Sequence, residues 1–280
     1  MSRIWRSMLY VPANVPRFVR KSAGAGADAV VLDVEDSVPA DRKSEARAAL
    51  ADAVPTARAG GADVLVRVNR PPALAIRDIE AAVAAGADGI LLTKVLGPDH
   101  VRLVAEMLAA APHPMRMIPM IESAGGFQNL AAIARAAPCV AGLLIGAEDL
   151  AAELGAASDD EIIVMCKRQM VLAAVAAGVA PFGTLGTVAD YRDPERVRAV
   201  VLGARRSGFV GATCIHPSLV PILNKGFSPT PAELDLARRQ LAAGEEAARD
   251  GRGSFVVDGK MVDEPLLIRA RRLLATAGAA

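Results

Sequence analysis

Gly61-Ala62-Asp63-Val64-Leu65-Val66-Arg67-Val68-Asn69 first turns and then runs straight. A glycine after an alanine-rich helical segment ends that helix in the left-handed conformation. The short β-branched run behind it reads as a strand. The phrase recurs as Gly26-Ala27-Asp28 before Ala29-Val30-Val31-Leu32-Asp33, and as Gly86-Ala87-Asp88 before Gly89-Ile90-Leu91-Leu92-Thr93. Working outward, strands are predicted at 7–11, 29–33, 64–68, 89–93, 117–121, 142–145, 179–182 and 213–216. Segments of helical period alternate with them, among them 42–54, 73–85, 99–110, 126–136, 161–177 and 194–207. Eight strands in about 220 residues predict an α/β fold, a (β/α)8 TIM barrel. The rival is an open doubly wound sheet. Its nucleotide-binding form usually carries a glycine-rich first turn, whereas here the first strand leads into Pro12-Ala13-Asn14-Val15-Pro16.

The rest of the composition agrees with this layout. With 280 residues, 52% hydrophobic and only 3% aromatic, the core is built from Ala, Val, Leu, Ile and Met. That profile suits helices on a parallel sheet better than an all-β sandwich. Lys plus Arg (32) nearly balances Asp plus Glu (31), which argues against nucleic acid or an anionic membrane as partner. Cys139, Cys166 and Cys214 share no metal-ligand spacing and read as reduced thiols. The N-terminus has no signal-peptide core, and no apolar run reaches the roughly 18 residues of a membrane helix. A cytoplasmic protein is expected. The composition shifts near Lys225, and 226–231 reads as a linker. Behind it come a polar helix (232–250), a short strand (255–257) and a last helix (265–275). The division expected is a barrel at 1–225 and a C-terminal segment at 226–280, too small to hold a core alone.

Chemistry in a barrel sits where strands end. The predicted ends carry Asp33-Val34-Glu35-Asp36, Arg67 with Asn69, Thr93-Lys94, Glu122-Ser123, Glu148-Asp149 and His216-Pro217. Glu122 and Asp149 close consecutive strands, so they are neighbours in the mouth. Two close carboxylates repel unless a cation or a shared proton lies between them, and magnesium takes one or two carboxylates plus water and substrate oxygens. Helix capping is the plainer role for such acids. No cysteine or histidine cluster suggests zinc. Arg67, inside a strand, needs an anionic partner: a substrate oxyanion, or the acids of the second strand. Lys94, one of six lysines and the only one at a strand end, would serve a Schiff base if its pKa were lowered; a solvated or phosphate-contacting role is the alternative. His216 has no nucleophile placed with it and reads as structural or substrate-positioning.

These residues fall within a set of familiar motifs. They are Arg6-Ser7-Met8-Leu9-Tyr10-Val11-Pro12, Asp33-Val34-Glu35-Asp36-Ser37-Val38, Val66-Arg67-Val68-Asn69, Ile121-Glu122-Ser123-Ala124, Gly146-Ala147-Glu148-Asp149-Leu150, Cys214-Ile215-His216-Pro217-Ser218 and Gly259-Lys260-Met261-Val262-Asp263. In that order the chain resembles the citrate lyase β-subunit-like branch of the HpcH/HpaI aldolase family, which includes malyl-CoA and citramalyl-CoA lyases. The resemblance implies a barrel with a C-terminal helical lid segment, usually assembled as a homotrimer with lids exchanged between subunits. It makes Glu122 and Asp149 ligands of Mg2+, with Mn2+ as a substitute, and Arg67 the group that stabilises an enolate. Asp263 becomes a general acid/base delivered by the lid to a neighbouring subunit. Glu35 and Asp36 become acids near the metal waters and the arginine, and Arg17 and Lys21 contacts of CoA phosphates. Ala212 departs from relatives that often have lysine there.

The implied reaction is cleavage of a β-hydroxyacyl-CoA to an acyl-CoA and an α-keto acid. A thioesterase or malate-synthase-like outcome on the same scaffold is the variant. The other readings are a citrate lyase β subunit working on an acyl carrier protein thioester, a short-chain aldolase acting on free pyruvate, and a non-enzymatic CoA-metabolite-binding protein.

Overall fold

The computed structural model describes residues 4–186 and 191–278. Its strands run β1 (Ser7–Pro12), β2 (Ala29–Asp33), β3 (Asp63–Val68), β4 (Gly89–Leu92), β5 (Arg116–Ile121), β6 (Gly142–Ile145), β7 (Ala180–Phe182), β8 (Ala212–Cys214), β9 (Phe255–Val257) and β10 (Lys260–Val262). The helices are α1 (Pro16–Ala23), α2 (Lys43–Arg58), α3 (Pro72–Ala84), α4 (Pro98–Ala109), α5 (Ala124–Gln128) and α6 (Leu130–Ala134). They continue with α7 (Ala147–Leu154), α8 (Glu161–Ala177), α9 (Pro194–Arg206), α10 (Val220–Phe227), α11 (Pro231–Arg249) and α12 (Glu264–Gly278).

β1 to β8 form one parallel sheet in the order β7-β6-β5-β4-β3-β2-β1-β8. A parallel bridge between Phe182 and Gly211, with the Gly183 N–H donating to the Gly211 carbonyl at 2.8 Å, brings the two ends together. The result is the (β/α)8 barrel. The glycines of the repeated phrase do turn the chain: Gly26, Gly61 and Gly86 have φ of 69°, 82° and 74°, the left-handed region where a side chain is disfavoured.

Side chains alternate across each strand, and this alternation builds the site. One set packs against the surrounding helices. The other fills the barrel with Met8, Val31, Leu65, Leu91, Ile118, Met120, Leu144 and Phe182. Two residues further along, the same inward row becomes polar: Tyr10 follows Met8, Asp33 follows Val31, Arg67 follows Leu65, and Glu122 follows Met120. The apolar layer is therefore the floor of a polar mouth at the C-terminal ends of the strands.

Among the described residues the chain divides into two compact units, Trp5–Phe227 and 228–278. In the second, α11 opens with a capping box in which Thr230 and Glu233 satisfy each other's backbone N–H groups. β9 and β10 pair antiparallel, and Ala247, Phe255, Val262 and Leu267 form a small core of their own.

Candidate active site

Arg67 and Asp33 stand side by side because β3 and β2 pair in parallel with those two residues in register. The Arg67 Nε and Nη2 donate to the two Asp33 oxygens at 2.8 and 2.6 Å. Its Nη1 lies 3.2 Å from Glu35 and 3.3 Å from Asp36. Beneath the guanidinium lies the partly buried Tyr10 ring, 5.0 Å away. Burial alone would raise Asp33, but Arg67, the Ser37 side chain and the Glu35 N–H bring its carboxyl below the usual range. Arg67 stays charged, as its own burial is outweighed by Asp33.

Glu122 is held in the opposite way. It is only 6% exposed, and its Oε2 accepts the Lys94 backbone N–H at 2.6 Å. Burial, with the nearby charges of Asp149 and Glu35, pushes its carboxyl up to about 7. The side chain lies against Gly146, where a Cβ would come within 2.4 Å of the Glu122 Cγ. Asp149, in the first turn of α7, is more open.

Lys94 links the two groups. Its backbone is left-handed (φ 52°), which is uncommon for a residue with a side chain. The N–H is given to Glu122 while the Nζ reaches Glu35 at 3.1 Å, and Asp36 and Asp149 at 3.9 Å each. Burial would lower the amine, but the bond to Glu35 and the neighbouring acids more than offset it, and its pKa rises. This is not the depressed lysine that a Schiff base needs.

Three acids thus face the Lys94 ammonium while Glu122 takes its backbone N–H, and this end of the mouth is built to hold positive charge. Among the described residues no group of three or more His, Cys, Asp or Glu could cage a metal unaided. Two carboxylates with an open cavity match magnesium, which keeps waters and takes substrate oxygens. The cavity, about 330 Å³, is lined by Arg67, Glu122 and Asp149, with Phe182 and Lys167 on its other walls. Tyr10 and Ile215 also line a second, more apolar cleft of about 350 Å³ that runs past Phe18, Lys21 and His216. Arg17 and Lys21 are exposed on α1, one helical turn apart. His216 binds Ser218 through its Nδ1 at 2.7 Å and stacks on Tyr191 at 4.4 Å.

Arg67, Glu35, Asp36, Glu122 and Asp149 are therefore gathered in one mouth. Asp263 belongs to the other unit, where its carbonyl accepts the Leu266 and Leu267 N–H groups at the start of α12. Of the acids at the end of the second strand, Asp33 holds Arg67 most closely. Tyr10, Gly146 and Lys167 escaped the sequence reading as site residues; the two-residue step from the apolar strand positions could have found the first two.

A family model for HpcH/HpaI aldolase/citrate lyase matches residues 6–217. The chain belongs to this family. A (3S)-malyl-CoA thioesterase of Cereibacter sphaeroides is 40% identical over 278 residues, covering 98% of this chain and 95% of the relative. The mitochondrial citramalyl-CoA lyase of Mus musculus is 30% identical, covering 97% of this chain and 86% of the relative. The CitE protein of Mycobacterium tuberculosis, solved in complex with magnesium, acetoacetate and coenzyme A, superposes with a TM-score of 0.80 at 33% identity over 97% of both chains. As a member of the HpcH/HpaI family the chain falls among carbon–carbon lyases. No helix among its described residues is long and apolar enough to cross a membrane.

Proposed function

We propose that the chain is a Mg2+-dependent lyase that cleaves a β-hydroxyacyl-CoA of the malyl-CoA or citramalyl-CoA type to an acyl-CoA and an α-keto acid. The observation that carries this is the buried Glu122 beside Asp149, opening into the same cavity as a clamped Arg67. Glu122 and Asp149 would hold the ion, and magnesium bound there supplies a Lewis acid for the substrate's hydroxyl and carboxylate oxygens.

The residues of the chain do the rest. The hydroxyl gives its proton to Asp263 acting as general base, the bond between the hydroxyl-bearing carbon and the carbon next to the thioester breaks, and the electron pair moves to the thioester as an enolate. Arg67 is held in one plane by Asp33, so its charge is in place before the enolate forms and needs no reorganisation. Protonation of the enolate completes the acyl-CoA. We assign that proton to Asp263, supplied to the barrel by the C-terminal segment of a neighbouring subunit in a homotrimer. The cleft past Phe18 and Lys21 would take the pantetheine arm, with Lys21 and Arg17 meeting phosphates.

A second reading is hydrolysis of the same thioester, favoured by the 40% identity to a malyl-CoA thioesterase. The two differ in products. Cleavage releases an α-keto acid and leaves the thioester intact; hydrolysis releases free CoA thiol and no keto acid. Malyl-, citramalyl- and citryl-CoA are to be incubated with the protein and Mg2+, following keto acid as its hydrazone and thiol separately. The lyase reading expects keto acid that disappears with EDTA. Thiol alone selects hydrolysis, and neither product from any substrate overturns both.

A further inference from the structure

The chain has six lysines. Lys21, Lys225 and Lys260 are exposed. Lys43 gives its Nζ to the Val34 and Glu35 carbonyls, and Lys94 is bound to the Glu35 carboxylate. Lys167 is the exception. It lies on α8, is only 7% exposed, and lines the cavity of Glu122 and Asp149, where the chemistry above leaves it without a role.

Its amine has little to hold it. One bond, from Nζ to the Leu185 carbonyl, is long at 3.4 Å. Among the described residues no carboxylate oxygen lies within the 4.0 Å of an ion pair. Leu144, Phe182 and Phe209 line the same cavity, so an ammonium here is poorly solvated. Burial pulls the Lys167 pKa below the ordinary lysine value, and the charges of Glu148 and Asp159 do not restore it. Lys94 is the opposite case, kept charged by the acids around it. An amine made neutral by desolvation is a nucleophile whose natural partner is a carbonyl carbon. The cavity, about 330 Å³, admits a small acid.

We propose that Lys167 is a covalent site for a small α-keto acid of the pyruvate type, which it binds as a reversible Schiff base without the metal. The nitrogen lone pair forms the bond to the keto carbon. The keto oxygen leaves as water, taking one proton from the amine and one from solvent, and an iminium remains. Water reverses the step, and no oxidant or reductant takes part. The inference rests on the lyase reading for the source of the keto acid, which the cleavage releases in this cavity. The imine then retains that product after the acyl-CoA departs.

Reductive trapping tests this without turnover. Wild type in EDTA is incubated with pyruvate near neutral pH, reduced with cyanoborohydride and digested. Mass spectrometry then compares its lysine peptides for an added 1-carboxyethyl group. Lys167 is expected to carry at least about tenfold more adduct than any other lysine. Lys167→Arg, which keeps the charge but forms no imine, should lose that adduct, and wild type unfolded in guanidinium should lose the selectivity. No adduct, an even spread over the lysines, or a maximum at Lys94 overturns the inference, and so does a selectivity that survives unfolding. The wild-type map needs no variant, so it decides even where Lys167→Arg is unstable. The product assay in Mg2+ is separate. Its failure removes the lyase reading and leaves the adduct standing, whereas a missing adduct leaves the lyase reading untouched.

Discussion

Glu122 and Asp33 are two carboxylates in one polar layer, and their surroundings push them in opposite directions. For Glu122 burial dominates and the carboxyl moves up to about 7, so in the metal-free protein its charge is a strain on the fold. The sign follows directly. A folded pKa above the ordinary carboxylate value means that stability is lost as pH rises from about 4.5 to about 7, and is level beyond. With a chelator present, the melting temperature of wild type should fall against that of Glu122→Gln between about pH 5 and about pH 8, a difference of the order of 3 kcal/mol. Parallel curves would falsify a burial-driven shift. Adding Mg2+ should raise the wild-type melting temperature and leave the variant where it was. Glu122→Gln and Asp149→Asn should each lose at least about a hundredfold of Mg2+-dependent lyase activity while remaining folded; full turnover in either variant removes the metal role. Asp33 behaves in reverse. Burial would raise it, but Arg67, the Ser37 side chain and the Glu35 N–H hold it down, so it contributes stability above the unfolded carboxylate pKa that is lost as pH falls through its lower folded value. Asp33→Asn leaves Arg67 buried without its main partner, at about 3–5 kcal/mol. Denaturant titrations at neutral pH and near pH 3 should show that deficit shrinking towards acid.

At the scale of elements, β6 begins with one glycine and is followed by another, and the two have different duties. Gly146, where β6 gives way to α7, has an ordinary φ of −80°, yet a Cβ there would lie 2.4 Å from Glu122. Gly146→Ala is expected to displace that carboxylate, lowering Mg2+ affinity far more than stability. Gly142, at the start of the strand, would press a Cβ to 2.4 Å from the Phe182 ring and 2.5 Å from the Ala180 carbonyl. Its alanine variant should lose about 1–3 kcal/mol by overpacking while Mg2+ affinity in the folded fraction holds. Magnesium titration beside thermal melting separates the two; matching profiles would show that Gly146 is only a packing residue. The strands themselves were legible because a buried parallel strand is a short apolar run between helical segments, whatever lies next to it. Helix ends were less so. The helix expected at 126–136 is broken into α5 and α6 around Asn129, whose side chain donates to the Leu96 and Gly125 carbonyls. α7 was hidden because Glu148 and Asp149 read as strand-end chemistry while also forming its first turn. Gly226, read as the start of a linker, lies inside α10, where a Cβ would come within 2.4 Å of Val201 Cγ1. That is a packing constraint, invisible in one dimension. The same holds for the site: paired acids at successive strand ends, and an acid of the second strand as partner of Arg67, can be seen in a sequence, but the seat of Glu122 against Gly146 depends on which strands meet.

At the scale of the molecule, the barrel unit holds Arg67, Glu122 and Asp149, and Asp263 lies in the other unit. A site that draws its metal ligands from one chain and its proton donor from another has an arithmetic signature. Asp263→Asn keeps an intact barrel and Arg67→Lys keeps an intact tail, and each alone should turn over poorly. Asp263→Asn should still bind an α-keto acid with Mg2+, which marks the loss as one of proton transfer. If the two variants are mixed in equal amounts and their subunits exchanged at random, about one site in four pairs an intact barrel with an intact tail. Activity should therefore climb to about a quarter of the wild-type value as exchange proceeds. Mass spectrometry of differently labelled chains reports the exchange itself. Complete exchange without recovered activity would mean that Asp263 serves the barrel of its own chain, and the C-terminal segment would then be a lid in cis.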